Sequence, residues 1–328
     1  MTLLDHRDLD NWRISPTTTH DHPAIADFLA TTDGIGGRKF AADSRDVAEQ
    51  LDGAFPDAVI VVRDVSGRVR GYAALGTPHG LEPELLADFV FDPDVPPNII
   101  DGIVESIVDR FQVESTRIDG AFLRSFIGDE QKATIDALIK RGARREGQFI
   151  RTRKPLQDED VRKLETAGRE AITVLGWPEL DTRGLLEQVR RLQYDTFLEH
   201  FGNMSKTPEL WHHHLHSRSF TPDFSLAAVN DSGQVVGYVV GSTYTSGPAG
   251  NEERSAHTDY IGVRRDLRRQ GIAELLLNKI WLAALRRGFT VASLGTDINN
   301  RSKAHLLYAR LGYVAVEHSS AYRIDGAE

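Results

Sequence analysis

Downstream of Ala273 the apolar residues fall at Leu276, Leu277, Ile280, Leu282 and Leu285, a spacing that returns to one face every three or four positions and predicts an amphipathic helix. Directly before it, Tyr260 to Val263 is a short β-type run, so the basic stretch between them is a turn that carries a strand into a helix N-terminus. The succession recurs further on. Val291 to Leu294 reads as a strand, then come a polar turn, a helix from about Arg301 to Leu311, and Gly312 as a helix-ending glycine before another strand.

The pattern also repeats on a larger scale. Val59-Ile-Val-Val-Arg-Asp-Val-Ser66-Gly67-Arg-Val-Arg-Gly71-Tyr72 and Ser225-Leu-Ala-Ala-Val-Asn-Asp-Ser232-Gly233-Gln-Val-Val-Gly237-Tyr238 both predict an apolar strand, a Ser-Gly turn and a second strand opening on Gly-Tyr. Around Gly142 and Gly312 the chain shows a helix end, a glycine and a following strand, at nearly the same offset. A near-constant offset across both halves indicates tandem duplication. Each copy then orders as helices, hairpin, strand, long helix, strand, helix and closing strands. This predicts an α/β fold in two tandem domains, each a mixed, mostly antiparallel sheet flanked by helices. The polar run from Lys154 to Lys163 places the boundary near 160, giving domains 1–160 and 161–328.

The basic turn, Val263-Arg-Arg-Asp-Leu-Arg268-Arg-Gln-Gly271-Ile-Ala273, has the chemistry of an anion site. Unpaired N–H groups and the helix dipole attract negative charge there, Gly271 and Ala273 let backbone close on an oxygen-rich group, and Arg268 and Arg269 add charge-assisted donors. A pyrophosphate suits it. Neither G-x-G-x-x-G nor G-x-x-x-x-G-K-[S/T] is present, which disfavours NAD and ATP.

The segment resembles the acetyl-CoA loop of the GNAT N-acetyltransferases, a strand valine followed at fixed spacing by Arg or Gln and then x-x-G-x-G/A; Val263, Arg268, Gly271 and Ala273 match it. Asn300 to Tyr313 resembles the second signature of that superfamily, with Asn300-Tyr308 spaced one residue longer than the commonest form, as in mycothiol-synthase-like members. The resemblance implies acetyl-CoA as co-substrate, bound by Ile261, Val263, Arg268, Arg269, Gln270, Gly271, Ile272, Ala273 and Asn300. It implies Tyr308 as the general acid that protonates the departing thiolate; an amphipathic-helix tyrosine packed under the sheet is the structural alternative.

Period-two alternation puts His257, Asp259, Ile261 and Val263 on one strand face unless a bulge intervenes, so His257 or Asp259 is a candidate to take the amine proton. His257 has the better ordinary pKa, and Asp259 needs raising by burial. The resemblance makes the helices before the hairpin the acceptor wall, with Glu199 and His200 as candidate substrate contacts beside a surface-helix alternative. The first copy differs at the anion site: Asp92-Pro93-Asp94-Val95-Pro96-Pro97 supplies acids and prolines without Arg or Gly. Acids repel phosphate and prolines delete N–H donors, so that copy is expected not to bind acetyl-CoA.

Composition narrows the rest. The 328 residues are 40% hydrophobic and contain no cysteine, which excludes disulfides, thiolate metal sites and a cysteine nucleophile. A formal charge of −9 argues against nucleic-acid binding, and the charged N-terminus and lack of a long apolar window argue against a signal peptide or membrane span. His212 and His216 share a helical face but lack a third ligand at metal spacing, and no G-x-S-x-G occurs, so neither a metal centre nor a serine hydrolase is expected. The expected protein is cytoplasmic, acetylates a primary amine of a small molecule directly in a ternary complex, and has a homodimer among its open assembly states. An antibiotic or polyamine acetyltransferase and a non-catalytic acyl-CoA sensor are the alternatives.

Overall fold

The computed structural model describes residues 7–9, 11–31, 43–77, 83–157, 161–198, 200–202, 204–246 and 253–326. Two compact units share them, one drawn from Met1–Phe149 and Glu317–Glu328, the other from Ile150–Thr245 and Glu253–Val316.

In the first unit the chain runs β1 (Arg7–Leu9), β2 (Trp12–Pro16), α1 (His22–Thr31), α2 (Ser44–Gln50), β3 (Ala54–Asp64), β4 (Val69–Gly76), β5 (Glu84–Phe91), α3 (Pro97–Ser115), β6 (Phe122–Gly128) and α4 (Lys132–Lys140) into β7 (Arg144–Pro155). The second continues with α5 (Val161–Thr166), β8 (Ile172–Gly176), α6 (Trp177–Thr182), α7 (Leu186–Phe197), α8 (Pro208–Leu215), β9 (Leu226–Asn230), β10 (Val235–Ser246), β11 (Glu253–Val263), α9 (Ile272–Arg286), β12 (Val291–Asp297), α10 (Ala304–Arg310) and β13 (Val314–Asp325). From the hairpin onward the elements follow in the same order twice, β3–β4–β5–α3–β6–α4–β7 and β9–β10–β11–α9–β12–α10–β13. Before it, among the described residues, the first unit has two strands and two helices, the second a helix, a strand and three helices. The likeness reaches single bonds. In the first hairpin Asp64 Oδ1 accepts the Ser66 and Arg68 N–H groups, and in the second Asn230 Oδ1 accepts those of Ser232 and Gln234.

Among the described pairings whose register is defined, the strands are antiparallel except β5 with β6 in the first unit and β11 with β12 in the second, where a long crossover helix makes the connection. Helices cover both faces. In the first unit α3 and α4 close one core and α1 and α2 the other; in the second, α9 lies on one face and α6 to α8 on the opposite one. Tyr72 and Tyr238, the tyrosines of the repeated Gly-Tyr, are both fully buried on the side away from the long helix. On the other side Gly237 lies under α9, where a methyl group would come within 2.8 Å of Ile272 Cγ2. Glycine there is required by close helix packing.

The polar run leads one to expect a division near 160; in space the units part between Phe149 and Ile150, and the closing strands cross over, with Glu317 onward in the first unit. Ser319–Asp325 of β13 pairs antiparallel with Phe122–Gly128 of β6 inside the first unit. The end of β7 lies beside β12 in the second, where the Thr152 hydroxyl donates to the Leu294 carbonyl at 3.2 Å and the Leu156 N–H to Thr290 O at 2.8 Å. Closing strands of one origin present equivalent edges, so swapping them loses few contacts.

Candidate functional site

Strands β11 and β12 are in parallel register from Ser255↔Val291 to Thr258↔Leu294 and no further. Both run on, β11 to Val263 and β12 to Asp297, and there they part. The backbone edge of Asp259–Val263 is thereby left without β12 as partner, and such groups demand a ligand or water.

A shift in side-chain alternation accompanies the parting. Ala256 and Ile261 both pack in the core under α9, although an interval of five puts residues on opposite faces of a regular strand. Tyr260 packs on the other face, with Phe197 and Trp211. One residue is therefore accommodated within His257–Tyr260, as at a β-bulge. The common face expected for His257, Asp259, Ile261 and Val263 is split: Ile261 and Val263 turn toward α9, whereas the Asp259 carboxylate stands 3.5 Å from His214 Nε2 of α8, on the Tyr260 side.

His257 Nδ1 lies 2.8 Å from the hydroxyl of Ser293, which itself donates to Ser255 Oγ at 3.1 Å. With that hydroxyl proton committed, Nδ1 bears the ring hydrogen and Nε2 keeps the lone pair. Burial pushes the imidazole below its ordinary value; Asp259 opposes this and Arg151 adds to it. The buried Asp259 accepts a hydrogen bond from Ser242. Lys206, half-buried with Nζ 5.6 Å from the Tyr260 ring centre, is likewise lowered by burial and opposed by Asp259.

Where β11 ends, a short 3₁₀ turn (Arg265–Leu267) leads into Arg268, Arg269 with φ 62° and Gly271 with φ 76°, the residue that caps α9. Alternating left-handed residues before a helix turn successive N–H groups inward and form an anion-binding nest. Gly271 tolerates that conformation without the Cβ clash other residues suffer. Arg268 Nε donates to the Val263 carbonyl at 3.1 Å, tying the loop to the strand end. Arg169, a residue the motif does not include, lays its guanidinium over Gly271, where a methyl group would collide with it. Among the described residues the Arg169 and Arg269 side chains have no carboxylate partner. Gln270 is exposed beside them, Ile272 packs into the core, and Ala273 occupies the first helical turn.

On the other side of the parting, the helix expected from Arg301 begins only at Ala304. The Asn300 side chain accepts the Ser302 N–H at 2.8 Å and Lys303 is left-handed at φ 52°, a local turn that competes with helix. Asn300 Nδ2 also lies 3.4 Å from His200 Nδ1, whose ring stacks on Phe197. His200 is thus joined to the Asn300 turn, and Glu199 lies outside the described residues. Tyr308 is 7% exposed and packs edge-on to Tyr313, and burial pushes its hydroxyl up to about 12.

The equivalent place in the first unit is closed. Strands β5 and β6 also stop pairing, at Leu86↔Arg124, but the Ser125 hydroxyl bridges to Ala87 O at 2.7 Å and Phe89 and Phe91 are buried beside it. Its loop carries carboxylates already engaged by Arg70, at 3.4 Å from Asp92 and 2.9 Å from Asp94, ahead of Pro96 and Pro97.

Among the described residues no group of three or more His, Asp or Glu is arranged to hold a metal, and no helix is long and apolar enough to cross a membrane. The sequence pattern held Tyr308, His257, Asp259 and the loop; it gave no sign of Arg169, His214, Lys206 or Ser293, whose meaning depends on neighbours distant in the chain.

Residues 186–313 match the model of the acetyltransferase (GNAT) family. Among solved structures, a GCN5-related N-acetyltransferase from Sphaerobacter thermophilus superposes with a TM-score of 0.70 at 22% identity, covering 98% of both chains. A tandem GNAT protein from the clavulanic acid biosynthesis pathway gives 0.67 at 17% identity, covering 97% of this chain and 99% of the other. Saccharomyces cerevisiae N-myristoyltransferase with bound myristoyl-CoA gives 0.59 at 11%, covering 99% and 86%. These likenesses are of fold. Curated protein sequences give no match.

Proposed function

We propose, from the premise that residues 186–313 are a GNAT acetyltransferase domain, that the second unit transfers an acetyl group from acetyl-CoA to a primary amine of a small molecule. The GNAT fold binds acyl-CoA and supports acyl transfer from it; the acetyl group, the amine and direct transfer are the proposal. The observation that carries it is the parting of β11 and β12 directly beside a basic nest at the start of α9.

The donor set fits the cofactor. A pyrophosphate in the nest would meet the free N–H groups of the first α9 turn together with Arg268, Arg269 and Arg169, and among the described residues no carboxylate partner holds the last two. The unpaired edge of Asp259–Val263 suits the amide groups of a pantetheine arm, with Asn300 on the other side. Acetyl-CoA supplies an activated thioester carbonyl when bound.

The chain supplies the proton chemistry. His257, held neutral at pH 7 by burial and with its lone pair on Nε2, takes a proton from the bound ammonium, directly or through water, to leave the neutral amine that attacks. The second N–H proton, lost as the amide forms, restores Tyr308 after that residue has protonated the thiolate. Asp259 orients the amine and favours its approach as a cation. As the carbon–sulfur bond breaks, the Tyr308 hydroxyl donates its proton to the thiolate; with its pKa near 12 it remains protonated throughout the working range.

Calorimetry with acetyl-CoA, followed by thiol release with an amine panel, tests the reading. Saturable binding and amine-dependent thiol release are expected. Binding without release from any amine would leave a sensor.

A further inference from the structure

Lys206 and Asp259 carry opposite charges within one cluster, yet they are not joined. Lys206 is fixed by its backbone: its N–H donates to Gln193 Oε1 at 2.8 Å, and its carbonyl accepts from Arg190 Nη1 at 3.4 Å. Its ammonium hangs over the Tyr260 ring and, among the described residues, makes no hydrogen bond and has no carboxylate within 4.0 Å. The Asp259 carboxylate is 8% exposed, accepts from the Ser242 hydroxyl, and stands 3.5 Å from a His214 nitrogen that completes no hydrogen bond. His214 and Lys206 both lie against Tyr260, the neighbour of Asp259. Half-buried charges of opposite sign held near each other but out of contact are costly unless something pairs with each.

We infer that the acceptor is an amino carboxylate, whose ammonium is held by Asp259 and whose carboxylate is held by Lys206. This rests on the acetyl-transfer reading above and adds the substrate class. A zwitterion of a few bonds completes both charges at once and binds through hydrogen bonds stronger than neutral ones. The same ammonium of Lys206 repels a second cationic group, so polyamines and polycationic antibiotics are disfavoured at this wall. Burial lowers the Lys206 ammonium, and an incoming carboxylate would restore it, so binding tightens where the lysine is charged. Lys206 is a binding residue here and takes no part in the proton transfers assigned to His257 and Tyr308.

The probes are α-amino acids and ω-amino carboxylates from glycine to 6-aminohexanoate, each paired with its carboxamide, and 1,4-diaminobutane. Thiol release from acetyl-CoA gives kcat and KM, and acetyl-CoA affinity is measured by calorimetry on the same protein. The best carboxylate should exceed its carboxamide and the diamine at least tenfold in kcat/KM. Lys206→Met should erase that preference mainly through KM, with acetyl-CoA affinity unchanged, and Lys206→Arg should keep much of it. Equal use of carboxamide or diamine, refusal of every amino carboxylate, or a preference that survives Lys206→Met would overturn the inference. The wild-type preference decides the matter by itself should Lys206→Met fold poorly. Acetyl-CoA that binds while carboxylates are not preferred defeats only this inference; acetyl-CoA that does not bind defeats the acetyl-transfer reading as well.

Discussion

His257 Nδ1 stands 2.8 Å from the hydroxyl of Ser293, its register partner on the neighbouring parallel strand. Strand pairing therefore decides which ring nitrogen holds the lone pair. Burial keeps the folded pKa below the ordinary 6.5, so the base is neutral at pH 7 and kcat/KM should fall on the acid side with a midpoint below 6.5. His257→Gln should cost about 10² in turnover, and Ser293→Ala should move the acid midpoint. A pH–rate profile unchanged by both substitutions would remove His257 from the mechanism. Because the folded value is depressed, His257 favours the folded state above the unfolded pKa and loses that contribution as pH falls through the folded one. His257→Gln should thus flatten the acid-side decline in Tm.

Tyr308→Phe keeps the ring and its packing on Tyr313 but deletes the proton. Turnover should fall about 10²-fold while acetyl-CoA affinity and Tm hardly change. With the hydroxyl pushed up to about 12, Tyr308 should impose no basic limb on kcat below pH 10. A structural tyrosine would show intact turnover.

At the nest, Arg169→Ala should weaken acetyl-CoA binding about tenfold, the lower range for a charge-assisted hydrogen bond, and weaken its salt dependence. Gly271→Glu should abolish binding, since it puts a carboxylate in an anion site and forces a left-handed φ of 76° on a residue with a Cβ. Calorimetry in low and high salt reads both, and full affinity in Gly271→Glu would place the phosphates elsewhere.

Asp92→Asn and Pro96→Ala in the first unit should leave acetyl-CoA affinity unchanged, because Arg70 already engages the carboxylates there and the Ser125 hydroxyl bridges β6 to Ala87 O of β5. An altered affinity would assign a cofactor role to that unit.

Gly237→Val should destabilise the protein by about 1–3 kcal/mol through overpacking against Ile272, which lies at the first turn of α9. Denaturant melts measure the loss. A neutral result would mean that α9 can shift, and acetyl-CoA affinity would then change with it.

Local order and local chemistry were legible along the chain. Periodicity marked the strand before Arg264 and the helix after Gly271, the Ser-Gly hairpins exposed the duplication, and residue types at fixed spacing singled out Arg268, Gly271 and Tyr308. These are short-range properties, set by backbone sterics and by which face must be apolar. Tertiary structure decided what depends on distant partners. The shift within His257–Tyr260 separates Asp259 from Ile261 because each packs against a different helix layer, which no alternation rule within β11 contains. Arg301 to Lys303 stay in the turn where the periodicity already starts the helix, because the Asn300 side chain takes the Ser302 N–H and the helix begins only at Ala304. The closing strands exchange because both repeats offer the same sheet edge, and Lys206, His214, Ser293 and Arg169 gain meaning only from neighbours that folding brings beside them.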